Sequence, residues 1–199
     1  MEEVVPGIRT WSVLSEEKGY AFNGYALETA EGTVLIDPPG PDGSGWDPFD
    51  EMAPYEGVYL SNRNHGRAAG DFRERYGVAV KAHEADLGRL ALEPDEVLRG
   101  GETVAGRMEV VHVPGKSPGE IAFHLPGASS LIVGDLVIGV PAGWLSTYPE
   151  DVVDDMEQLF RSLEKLLEYD FEALLVCDGE PLLRGGKERL RRFLESRRG

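Results

Sequence analysis

The segment Val58–Asp71 reads VYLSNRNHGRAAGD. An apolar run, Val58–Leu60, leads into a polar turn and then into small residues that begin a helix. The change from strand-like to helix-like spacing sets four side chains, Asn62, Asn64, His65 and Arg67, in one short loop. Such loops at strand ends carry binding and catalytic groups in many folds. Two of these residues are asparagines in a chain whose only other side-chain amides are Asn23 and Gln158. Asn often caps a helix, yet their concentration here points to a specific role.

On either side of this loop, strand and helix signals alternate. Gly24–Gly32 and Thr33–Gly40 read as two strands joined by a Gly-containing turn. Ala68, Phe72 and Tyr76 have near-helical spacing and stop at Gly77. Val78–His83 reads as a strand and Glu84–Leu90 as a short helix. Met108–Gly115, Glu120–Leu125 and Ser130–Asp135 are three further strands. Pro149–Asp170 is the clearest helix, with Val152, Met156, Leu159, Phe160, Leu163, Leu166 and Leu167 in one apolar stripe. Acidic residues crowd its first turn, which suits the helix dipole. Glu172–Gly179 is a strand and Lys187–Arg198 a closing helix. This order predicts an α+β chain in which packed sheets carry helices outside, rather than a parallel βαβ sheet.

Composition bounds the rest. The 199 residues suit one domain spanning 1–199, with a sizeable core and an apolar fraction of 41%. The net charge of −16 argues against a nucleic-acid or anionic-membrane surface. The basic stretch Arg184–Gly199 is read as a solvated helix face. No apolar run is long enough to span a bilayer, and the first residues, MEEVVPGIRT, do not resemble a signal peptide. A cytoplasmic location is therefore expected. Cys177 is alone, which excludes a disulfide framework and suits a buried hydrophobe. Few amides with much Glu and Arg fit a heat-resistant chain. Trp11, Trp46 and Trp144, outside obvious strand cores, leave room for a homodimer contact.

Six segments, in order, resemble the metallo-β-lactamase fold. They are Val34–Gly40, Val58–Phe72, Arg75–Leu90, Val111–Leu125, Leu131–Gly139 and Leu174–Pro181. Each is a modest match alone, but together they span most of the chain. The resemblance implies a four-layer αβ/βα sandwich. It also implies a dinuclear zinc hydrolase whose main motif reads His-x-His-x-Asp-His. This chain departs from that pattern at the ligands. Asn62 and Asn64 stand at the two His positions, Gly66 at the Asp and Arg67 at the last His. Lys116 replaces the His of the Pro-Gly-His segment, and Asp178 the final His; only Asp135 keeps the family residue. The chain is similar to a group within the fold that reads Asn-Arg-x-His-x-Arg here and Pro-Gly-Lys later, which implies a lineage with its own site.

Zinc takes deprotonated N, S or O ligands, usually several imidazoles or thiolates. An amide is a poor ligand, and Arg67 and Lys116 are cations that repel a dication. The expectation is therefore no metal and no cofactor at the family's two zinc positions. Buried carboxylates left without a metal need other partners. A salt-bridge cluster of Arg67, Lys116, Asp135 and Asp178 is expected, hydrogen-bonded by Asn62 and Asn64.

Three functions compete on this site. One is a pocket for a small anionic ligand, held by Arg63, Arg67 and Lys116, with Trp144 and Tyr148 of the loop Gly139–Pro149 at its mouth. Another is an enzyme of changed chemistry. There His65 is the acid/base, Lys116 the electrostatic stabiliser or nucleophile, and Asp135 or Asp178 the orienting carboxylate, or His65 and the two aspartates hold one weak metal ion. The third is a structural or interaction protein with the old site packed. His83, His112 and His124 lie on strands or strand ends and are read as packing or solvent-facing residues.

Overall fold

Alternating and continuous apolar runs of β-branched residues build two sheets, whose inner faces must meet to leave water. The computed structural model describes residues 1–197 and places the strands as follows. The first sheet holds β1 (Glu2–Val5), β2 (Ile8–Ser15), β3 (Tyr20–Glu28), β4 (Thr33–Ile36), β5 (Tyr55–Tyr59), β6 (Val80–His83) and β7 (Glu96–Leu98), in that order. Its first four strands are antiparallel, and β4 through β7 run parallel. The second sheet has the order β12 (Ala173–Val176), β11 (Ser130–Val133), β10 (Ile121–Leu125), β9 (Met108–His112) and β8 (Thr103–Val104). Its strands are antiparallel except for the β11–β12 pair.

Three apolar layers hold the sheets and helices together. Tyr25, Ile36, Tyr59, Phe123, Ile132 and Leu175 pack between the sheets. Outside the second sheet, α3 (Met156–Leu166) and α4 (Gly186–Arg197) bury Leu159, Leu163, Leu166, Leu190 and Leu194 against Val133 and Val176. Outside the first, α1 (Asp47–Asp50) and α2 (Ala69–Tyr76) bury Phe49 and Phe72 with Trp11 and Val58. The layers are thus helices, sheet, sheet, helices, in the α+β class expected.

Four local readings change. The long helix begins at Met156, not Pro149, because Asp155 caps it by accepting the Gln158 amide hydrogen bond at 2.8 Å. Glu150–Val152 is a separate 3₁₀ turn, which takes Val152 off the apolar stripe and leaves it exposed. The expected helix at Glu84–Leu90 is one 3₁₀ turn, Glu84–Asp86. Trp11 is not available to a partner chain, since it is buried and donates to the Gly40 carbonyl at 2.7 Å. Of the expected closing helix, Arg198 lies outside the described residues.

Asn23 ties the sheets together beside the loops of interest. Its amide donates to the carbonyls of Val176 and Gly179 at 2.9 and 2.7 Å. The Tyr25 hydroxyl also donates to Val176 at 2.6 Å.

Candidate functional site

Five strand ends converge at one edge of the sandwich. β4 delivers Asp37, held in the left-handed region at φ 48°. β5 runs into the loop carrying Ser61 through Arg67, and the loop after β9 carries Lys116. β11 leads to Asp135, and β12 to Cys177 and Asp178.

His65 sits at the centre and is buried. Its Nδ1 lies 2.8 Å from Asp37 Oδ2 and 2.9 Å from Ser61 Oγ, and its Nε2 lies 3.0 Å from Asp135 Oδ1. A ring with a carboxylate at each nitrogen donates from both, and so is an imidazolium. Burial and Arg67 oppose that charge, but Asp37 and Asp135 outweigh them and raise the pKa to about 10. Burial works against ionising Asp135 and Asp37, yet His65 holds both carboxyls below their ordinary value. Of the acid/base role weighed for His65, the protonated, acid form is therefore the one present at neutral pH.

The remaining charges close around this core. Arg67 Nη2 donates to Asp178 Oδ1 at 2.7 Å, and the guanidinium lies 4.1 Å above the Phe22 ring. Tyr148 donates to the other Asp178 oxygen and accepts from Tyr20 at 3.5 Å. Burial, with Asp135 and Asp178 nearby, raises the Tyr148 pKa and keeps the phenol protonated. Lys116 Nζ lies 3.4 Å from Asp135 Oδ2 and 5.2 Å over the Tyr148 ring. Asn64 donates to Asp135 at 3.3 Å, and its own amide N–H is held by Asn62 Oδ1 at 2.8 Å.

Two residues essential to this geometry escaped the sequence reading. Glu120 accepts from Asn62 Nδ2 at 3.2 Å and from the Asp135 amide at 2.7 Å. Burial, then Asp135, pushes its pKa well up, and its second oxygen, Oε2, is buried without a hydrogen-bond partner. Asp86 accepts from Arg63 N, Ser117 Oγ and Gly119 N at 2.8, 2.8 and 2.9 Å, tying the His65 loop to the Lys116 loop. Both lie within quoted family segments but at no ligand position of the pattern, and Glu and Asp abound in this chain, so only tertiary proximity singles them out. Asp37, quoted within a family segment, gave no sign of its contact with His65.

His65, Arg67 and Lys116 pair with Asp37, Asp135 and Asp178, three cationic side chains against three carboxylates, with Glu120 behind them. Among the described residues, two triads bring ligand-type atoms within 4.8 Å of one another: Asp37, His65 and Cys177, and His65, Asp135 and Asp178. Both need His65, whose nitrogens already face carboxylates. Cys177 is a buried thiol donating to Asp37 at 3.0 Å; burial, then Asp37, raises its pKa well up. Arg67 and Lys116 occupy the space beside the second triad. As arranged, a metal ion on either triad would need a free His65 nitrogen, and both nitrogens face carboxylates.

The cluster floors a cleft of about 350 Å³. His65, Arg67, Lys116, Asp135 and Asp178 line its depth, and Lys18, Tyr20, Phe22, Asn64, Tyr148 and Val152 its sides. The structure therefore brings together eight of the ten predicted residues at or beside one cleft, Asn62 standing just behind it on Glu120. Arg63 and Trp144 are not there. Arg63 turns away to Asp154, with Nη2 to Oδ1 at 2.6 Å. Trp144 is 62% exposed and stacks under Arg189. His83, His112 and His124 all bond carbonyl oxygens outside this cleft.

The sequence profile of the metallo-beta-lactamase superfamily matches residues 3–197. Among curated relatives, hydroxyacylglutathione hydrolase of Gloeobacter violaceus is 31% identical over 129 residues, 62% of this chain and 48% of that protein. The Fuscovulum blasticum protein of the same name is 32% identical over 125 residues, 61% of this chain and 46% of that protein. The chain thus spans about half the length of the curated relatives it matches. Among solved structures, TTHA1623 in a di-iron-bound form has a TM-score of 0.69 and 26% identity, over 87% of this chain and 94% of that one. A metallo-beta-lactamase superfamily protein from the archaeon Sulfolobus tokodaii has a TM-score of 0.76 and 16% identity, over 97% and 86%.

Proposed function

The chain belongs to the metallo-β-lactamase superfamily, and we propose that it is a metal-free member whose cleft binds a small organic ligand. One observation carries the reading. His65 stands between Asp37 and Asp135 as a buried cation, with Arg67 and Lys116 completing the charge balance. That arrangement stabilises carboxylates a dimetal centre would otherwise satisfy. It also leaves no free general base, since His65 is protonated and Asp135 is ion-paired. A thermal-shift screen with carboxylated, phosphorylated and thioester metabolites tests the reading. Stabilisation by one class, unaffected by chelator, is the expected result; no response to any class contradicts it.

A second reading is a hydrolase of altered chemistry, with one residual metal ion on His65, Asp135 and Asp178. The triad's proximity and the hydrolase names of the relatives favour it. It requires His65 to lose a proton and Arg67 and Lys116 to withdraw. Zinc- or iron-dependent cleavage of a thioester by the purified chain is its test. A purely packed, structural site is the remaining alternative, and a melting temperature that no ligand class moves is the result it predicts. No helix among the described residues is long and apolar enough to cross a membrane.

A further inference from the structure

We propose that the cleft takes a small monocarboxylate, its carboxylate on Lys116 Nζ and its apolar body between Tyr20, Phe22 and Val152. The inference rests on the metal-free reading above and names the ligand class for that same cleft.

Lys116 carries the argument. Its side chain is 7% exposed, yet its ion-pair partner Asp135 Oδ2 lies 3.4 Å away. That is longer than the roughly 2.7–3.2 Å of an N–H···O bond. No side chain or carbonyl among the described residues accepts a proper hydrogen bond from this ammonium, and the residue lines the cleft. The ammonium thus opens onto the cleft with its hydrogen-bonding capacity unused by the protein. A ligand carboxylate supplies the missing acceptor through a charge-assisted bond.

Charge balance sets the ligand's valence. Three cations already face three carboxylates in the depth of the cleft. Lys18, ion-paired with exposed Glu17 at 3.1 Å, lies on the rim. Lys116 Nζ offers a single charge-assisted contact, which one carboxylate fills, whereas a phosphate dianion brings a second negative charge toward Asp135 and Asp178, so it is disfavoured. Size and surface set the body. About 350 Å³ equals roughly a dozen waters at about 30 Å³ each, which suits a ring with a short chain. Tyr20 and Phe22, packed edge to face at 6.1 Å, and Val152, 48% exposed, give that body an apolar wall.

The test is calorimetric titration of the full chain with benzoate, phenylpropanoate, benzamide, phenyl phosphate and inorganic phosphate, each with and without EDTA. The carboxylates should bind, and the neutral amide and the phosphates should bind at least about tenfold more weakly, the worth of one charged hydrogen bond. Lys116→Met should abolish carboxylate binding. Val152→Trp keeps the test alive if that variant misfolds, because an exposed position tolerates the indole while it fills the cleft mouth; it too should lose binding. Phosphates binding better than carboxylates, or no binding by any carboxylate in folded protein, would overturn the inference while leaving the metal-free reading standing. Carboxylate binding that vanishes with EDTA would overturn that reading itself.

Discussion

His65 Nε2 and Asp135 Oδ1 stand 3.0 Å apart, so an imidazolium meets the buried carboxylate at the end of β11. With Asp37 on its other nitrogen, His65 is a cation bridging two carboxylates.

A pH dependence follows from this bridge. The ordinary His pKa of 6.5 is raised to about 10 in the folded chain. The folded state therefore holds the proton more tightly than the unfolded one. This contribution is fully present below about pH 6.5 and is lost as pH rises through 10. Urea midpoints should fall between pH 7 and 10. His65→Gln should flatten that fall and cost about 3–5 kcal/mol, because two buried carboxylates lose their shared counter-charge.

His83 works in the opposite direction. It is buried and stacked on His112 with ring centroids 4.1 Å apart, and its Nδ1 accepts from Ala85 N at 3.1 Å. Burial, then His112, lowers its pKa despite the Arg99 carbonyl. The unfolded chain binds this proton first, so stability should drop as pH falls below about 6.5. Chemical denaturation at pH 7 and 5, with His83→Gln as the control, reads the effect, and an unchanged slope in the variant counts against it.

Asp86 should matter as much as any residue in the cleft. Its three accepted bonds join the loops that carry His65 and Lys116. Asp86→Ala should cost about 3 kcal/mol, since it orphans buried donors. Amide exchange should quicken at Arg63 and Gly119 before it quickens in the strands.

Gly115 sets the approach of the Lys116 loop to α3. Its φ is +151°, and a Cβ there would lie 2.4 Å from Leu159 Cα. Gly115→Ala must push the loop or the helix aside, at about 1–3 kcal/mol. Thermal unfolding measures the loss, and a neutral variant would show that the contact yields freely.

The fold was legible because it rests on periodicity. The apolar runs at Val58–Leu60 and Leu131–Val133 carry their own length and face, and Gly77 closes α2 in the left-handed conformation. β1 and β2 were missed, because Glu2–Val5 is mostly exposed and Ile8–Ser15 alternates around polar residues. In the site, the loop identities pointed to Asn62, Asn64, His65, Arg67 and Lys116. Direction was not legible. Arg63 and Arg67 look equivalent in sequence, yet one meets Asp154 and the other Asp178. Glu120 and Asp86 act through contacts made by folding alone, at separations of 15 to 58 residues.

The central claim is that side-chain cations of this chain hold the place that a metal centre would take between His65, Asp135 and Asp178. Its most direct test is the metal content of protein purified without chelator, read beside a diffraction map at the zinc and iron edges. The account predicts far less than one ion per chain and no anomalous peak among His65, Asp135 and Asp178. A stoichiometric ion at that place, with turnover that depends on it, would contradict the account.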